Sequence, residues 1–121
     1  MRLRCLIVDD NAGFLDAAGK LLEQEGASVV GVASTGEEAL VRAAELQPDV
    51  TLVDIDLGAE SGFALANQLA ADGCQGGSLI LISTHTEDEF ADLIEGSPAI
   101  GFIPKSALSV EKIMRLLNAE G

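Results

Sequence analysis

The 121-residue sequence predicts an open α/β fold, a doubly wound parallel sheet of five strands in the order 2-1-3-4-5. Three observations carry that prediction. Five short runs rich in Val, Ile and Leu recur along the chain, each followed by a stretch with helical spacing. Most of these runs are apolar on both faces, as parallel strands covered by helices on both sides must be. Five strand–helix units are too few to close an eight-stranded barrel, so right-handed crossovers leave an open sheet.

The strands are expected at Arg4–Val8, Ser28–Ala33, 50–53, 79–83 and 100–103. The first helix should cover about 13–25. It places Phe14, Ala18, Leu21 and Leu22 on one face, and Gly26 follows as its C-terminal stop. The second helix should start at the STGE stretch, with Ser34 and Glu37 as a capping box. It turns Ala39, Leu40, Ala43 and Ala44 inward and ends before Pro48. The third is expected over Gly62–Ala71. The fourth should begin at the TEDE stretch, where Thr86 and Glu89 repeat the capping-box spacing, and the acidic start suits the helix dipole. The fifth should begin near Ser109 and bury Ile113, Leu116 and Leu117.

Composition narrows the function. The length is that of one domain, and 48% of residues are hydrophobic. With four Phe and no Trp or Tyr, the core must be built from Leu, Ile, Val and Ala. Net charge is −13, and the seven basic residues (Arg2, Arg4, Lys20, Arg42, Lys105, Lys112, Arg115) form no stripe. That argues against direct nucleic-acid binding by this chain and for attraction of cations. Cys5 and Cys74 lack metal-ligand spacing, and Cys5 falls inside the first strand as a small core residue. No signal peptide and no run near the ~18 apolar residues of a membrane span is visible. A cytoplasmic location without membrane contact is therefore expected.

In open sheets of this order, ligands bind beyond the carboxyl ends of the strands, between strands 1 and 3. The chemistry-bearing residues fall there. Asp9 and Asp10 end the first strand, and Asp54 and Asp56 end the third. Ser83 ends the fourth, and Lys105 follows the fifth. Clustered carboxylates repel unless a counter-charge joins them, and an oxygen-rich set suits Mg²⁺. A hydroxyl and an ammonium opposite the metal can hold the oxygens of a phosphoryl group. A carboxylate beside the metal can itself attack and form an aspartyl phosphate.

These markers, LIVDD, DVTLVDIDL, Gly62 eight residues after Asp54, LILIS and GFIPKS, stand in this order. Together they resemble the receiver domain of two-component response regulators, and GFIPKS resembles receivers of the LuxR-type helix-turn-helix regulators. The resemblance covers the whole chain and implies one receiver domain over 1–121, with a flavodoxin-like (βα)5 fold. It implies Asp54 as phosphoacceptor. Asp10 would bind Mg²⁺ directly, Asp9 mainly through water, and Asp56 through its backbone carbonyl. Ser83 and Lys105 would contact the phosphoryl oxygens. Phe102 would be the switch aromatic that follows Ser83 and remodels the face of helix 4, strand 5 and helix 5. A sensor histidine kinase would be the donor, and an output domain or protein partner the receiver of the signal. That same face would be a homodimer surface. Beyond its own phosphorylation and dephosphorylation no enzymatic activity is implied.

Several positions depart from the family pattern. Gly58 stands where proline is common, which would leave the loop after Asp54 more mobile. Thr84 is larger than usual and would narrow access to Asp54, and His85 occupies a position that tunes loss of the phosphoryl group. Pro104 precedes Lys105, so an ordinary trans bond is expected at Lys105–Ser106.

Taken singly, each residue also has a bland reading. Asp9 and Asp10 could make a strand-to-helix turn with Asn11 as cap. Ser83 could be a satisfied strand-end hydroxyl, Lys105 a surface lysine, Phe102 plain core and His85 an exposed loop residue. Two other functions compete. One is a phosphate-independent pseudo-receiver acting as an interaction module. The other is a haloacid-dehalogenase-like phosphohydrolase, because DIDLG partly matches that family's D-x-D motif. That motif normally ends the first strand of its sheet, however, and here it ends the third.

Overall fold

Alternation of strand and helix produces the expected sheet. The computed structural model describes residues 2–71, 77–85 and 87–120. Among them, strands β1 (Arg4–Val8), β2 (Ser28–Ala33), β3 (Val50–Asp54), β4 (Ser78–Ser83) and β5 (Gly101–Pro104) pair in parallel. Their order, β2-β1-β3-β4-β5, is the flavodoxin-like one. Helices α1 (Ala12–Gln24), α2 (Gly36–Leu46), α3 (Gly62–Ala71), α4 (Ala91–Glu95) and α5 (Val110–Glu120) cover the two faces. A two-stranded ribbon, Asp56–Leu57 against Glu60–Ser61, stands beyond the end of β3. Among the described residues, no helix is long and apolar enough to cross a membrane.

Period-two alternation along the strands feeds two cores. Leu6 and Val8 of β1, Val53 and Leu81 face Ala39 and Ala43 of α2 and Leu65, Ala66 and Leu69 of α3. Cys5 and Ile7, with Leu52, Ile80 and Ile82, face Ala18 and Leu22 of α1 and Ile113 of α5. Burial of the Cys5 thiol, with the Asp49 charge adding to it, pushes its pKa up to about 12.

The differences from expectation are local. The cap of α2 is Thr35, not Ser34: its hydroxyl accepts from Glu38 N–H at 3.1 Å, and Glu38 accepts from Ser34 N–H at 2.8 Å. Both alignments of the STGEE stretch satisfy the capping-box spacing. Leu21 and Ala44 face outward, at the margins of their helices' apolar stripes. The chain enters the fourth crossover through a 3₁₀ turn over Glu87–Phe90, and α4 itself is only five residues long. Thr86 and Cys74 lie outside the described residues. Among those residues no peptide bond is cis, so Lys105–Ser106 is trans as expected.

Candidate functional site

Parallel strands place all their carboxyl ends on one edge. Asp9 follows β1 and extends its pairing, since its N–H donates to Ala33 O at 3.0 Å. Asp54 is the last residue of β3, Ser83 the last of β4, and Lys105 comes directly after β5. Asn11 caps α1, accepting from Phe14 N–H at 3.1 Å. Asp9 Oδ1 accepts from Asn11 N–H at 2.9 Å, so one oxygen of the pair makes the turn and the other is left for the site. The strand-to-helix turn expected of the acidic pair, with Asn11 as cap, is thus present, and one Asp9 oxygen takes no part in it.

One carboxylate oxygen from each of Asp9, Asp10 and Asp54 lies within 4.8 Å of the others. Asp9 and Asp54 are buried, while Asp10 is exposed at the mouth. Lys105 Nζ lies 2.5 Å from Asp9 Oδ2 and 3.2 Å from Asp54 Oδ2. Three carboxylates against one ammonium leave an excess of negative charge. Asp9 Oδ2 is buried, and its partner is the Lys105 ammonium. Hard oxygen donors and an unbalanced charge fit a divalent cation such as Mg²⁺.

The charges set each other's ionisation. Burial pushes the Asp54 carboxyl up from 3.8 to about 6. The hydrogen bond from Asp56 N–H, 3.1 Å to Oδ1, pulls the other way, Asp9 adds to the rise, and Lys105 opposes it. For Lys105, burial disfavours the charged form, but the Asp9 and Asp54 carboxylates outweigh it and hold the ammonium above its ordinary value.

The remaining expected residues are placed in different ways. The Asp56 side chain is exposed and outside the three-carboxylate group; its backbone N–H is what touches Asp54. Ser83 is buried, and its Oγ accepts from His85 N–H at 3.0 Å. Thr84 and His85 are exposed at the rim, and His85 pairs with Glu89 at 3.0 Å and packs edge-on against Phe90. Phe102 is inside the α2/α3-side core, with 9% of its surface exposed. The loop after Asp54 is a tight hairpin: Gly58 takes φ +67°, where proline, held near −65°, cannot go. Gly62 has a steric role, because a Cβ there would lie 2.0 Å from Asp54 O.

Two contacts escaped sequence reasoning. The Phe14 ring lies 4.5 Å below the Lys105 ammonium, a cation–π contact from α1. Lys105 is paired to Asp9 as well as Asp54. Both join residues about 90 or more positions apart, and no local signal carries such a pairing.

The model of the response regulator receiver domain matches residues 5–118. The chain belongs to the response regulator receiver domain family. This receiver is 33% identical over 104 residues to the uncharacterized transcriptional regulatory protein YvfU of Bacillus subtilis, covering 85% of this chain and 52% of that protein. It is 33% identical over 120 residues to a protein-glutamate methylesterase/protein-glutamine glutaminase of Myxococcus xanthus, covering 94% of this chain and 33% of that protein. The chain thus spans only a third to a half of these relatives. The signal receiver domain of the response regulator NarL from Mycobacterium tuberculosis superposes with a TM-score of 0.83 at 25% identity, covering 98% of this chain and 95% of that one.

Proposed function

We propose that residues 1–121 form one receiver domain that accepts a phosphoryl group on Asp54, in a Mg²⁺-dependent reaction, from a sensor histidine kinase in the cytoplasm. The observation that carries this reading is the convergence of Asp9, Asp10 and Asp54, with Lys105 bridging two of them. Asp10, Asp9, Asp54 and the Asp56 backbone carbonyl would hold the ion. When bound, Mg²⁺ supplies positive charge that offsets the carboxylates and the phosphoryl oxygens. The ionised Asp54 carboxylate attacks phosphorus, a new P–O bond forms, and the bond to the donor's imidazole nitrogen breaks. Lys105 and Ser83 steady the phosphoryl oxygens. Thr84 and His85, exposed beside Ser83, set access and the rate of loss.

Occupation of Asp54 would shift a two-state equilibrium in which Ser83 and Phe102 move toward the site. The face of α4, β5 and α5 then signals to an output domain or partner, or to a second copy. The transcriptional role in the name of YvfU supports an output of that kind.

The test is intact mass after incubation with acetyl phosphate and Mg²⁺. The native protein should gain one phosphoryl group, and Asp54→Asn, or native protein without metal, should gain none. A gain by Asp54→Asn would remove Asp54 from the role. No gain by metal-bound native protein, from acetyl phosphate or from kinase, would leave the pseudo-receiver. Sustained turnover of small phosphate esters would instead mark a phosphohydrolase.

A further inference from the structure

The hairpin that follows β3 needs outside support, because strands of two residues do not stand alone. Its base is tied to β3 by Asp56 N–H on Asp54 Oδ1 at 3.1 Å and by Gly62 N–H on Ile55 O at 2.8 Å. Further out, Leu57 sinks into the core. Glu60, opposite Leu57 in the register, reaches sideways to α2, where its Oε1 accepts from Gly36 N–H at 3.0 Å. Gly36 is the first residue of α2, so the carboxylate sits on the positive end of that helix in a charge-assisted bond. The approach is close: a Cβ at Gly36 would lie 2.5 Å from Glu60 Oε1, so the carboxylate would have to shift. The hairpin tip bears on the site, since a Cβ at Gly58 would lie 3.0 Å from Asp10 Oδ2.

We propose that Glu60 is a positioning residue, whose carboxylate on the first amide of α2 holds the hairpin against Asp10 and so sets the strength of Mg²⁺ binding. This rests on the receiver reading above. Glu60 acts through the hairpin and touches neither ion nor phosphoryl group. Supporting partners one layer out from metal ligands typically change affinity by roughly 10–100-fold.

The experiment compares native protein, Glu60→Ala, Glu60→Gln, Gly36→Ala and the Glu60→Ala/Gly36→Ala double variant. Mg²⁺ affinity is measured by calorimetry, Gly36 amide exchange by NMR, and phosphoryl uptake by mass. Glu60→Ala should weaken Mg²⁺ roughly tenfold and speed Gly36 exchange. Glu60→Gln keeps an acceptor oxygen but loses the charge, and should fall between native and Glu60→Ala. Gly36→Ala keeps the charge, raises helix propensity and shifts the carboxylate, so it should weaken Mg²⁺ by less than Glu60→Ala does. The double variant should be no worse than Glu60→Ala alone. Native Mg²⁺ affinity in Glu60→Ala, unchanged Gly36 exchange in Glu60→Ala, or a Gln variant as weak as Ala overturns the proposal. If native protein binds Mg²⁺ but takes no phosphoryl group, the receiver reading falls, and the titrations still decide the role of Glu60.

Discussion

The helices on either side of β5 are held to very different depths. α5 drives Ile113 fully into the core and lays Leu116 and Leu117 against the same cluster, which it shares with Leu22 of α1. α4 is five residues long, has no buried residue and leaves Leu93 57% exposed. Its attachment comes from Ile94 and from Phe90 just ahead of it, which packs against Phe63 at 6.2 Å and takes the edge of His85. Lys105 leaves the end of β5 between these two. The acid site is mounted on the deeply buried ends of β1 and β3, whereas α4, with few buried apolar contacts, should take little free energy to displace.

The sharpest way to break this comparison is Ile113→Ala. It should cost about 3 kcal/mol in urea unfolding, because the sealed α1/α5 core leaves a cavity. A loss below about 1 kcal/mol would mean that α5 is no deeper than α4. Next in size is the metal. At Mg²⁺ ten times its dissociation constant, linkage predicts about 1.4 kcal/mol of stabilisation and a melting temperature higher by on the order of 5 °C. Asp10→Asn should shrink that response, and metal that changes neither protein would mean the frame holds no ion site.

A third effect comes from Asp54. Its folded pKa of about 6 lies above the ordinary 3.8, so the folded chain binds that proton more tightly than the unfolded one. The metal-free protein should then lose stability as pH rises from about 4 to about 6, with no further loss from this group above. Asp54→Asn should gain on the order of 1 kcal/mol at pH 8, and the gain should vanish below about pH 4. A pH-independent difference in chemical denaturation would contradict this. The smallest effect belongs to α4: Leu93→Ala should change stability by no more than about 0.5 kcal/mol. A larger loss would show that α4 is seated more firmly than its exposure indicates.

Much of the frame was legible. Arg4–Val8 and Ser28–Ala33 are strands as read, and α3 occupies Gly62–Ala71, because alternation and helical spacing are local properties of the chain. Reading was weakest where two local solutions compete. The α2 cap moved by one residue, and the hairpin at Gly58 had no strand signal of its own. Leu21 lies on the helical side that reads as apolar, yet the packed neighbours leave it outside.

Residue order alone determined which groups meet at the mouth. A parallel sheet carries every strand's carboxyl end to one edge, so Asp9, Asp54, Ser83 and Lys105 needed only their places at strand ends. Distances, and everything that depends on distance, were decided by the tertiary structure. The ion pair of Lys105 with Asp9, the Phe14 ring beneath that ammonium, the raised pKa of Asp54 and the Glu60 bond to Gly36 join residues from 24 to 96 positions apart. Coulombic and hydrogen-bond energies change within an ångström, and the spacing of residues along a chain does not encode separations that fine.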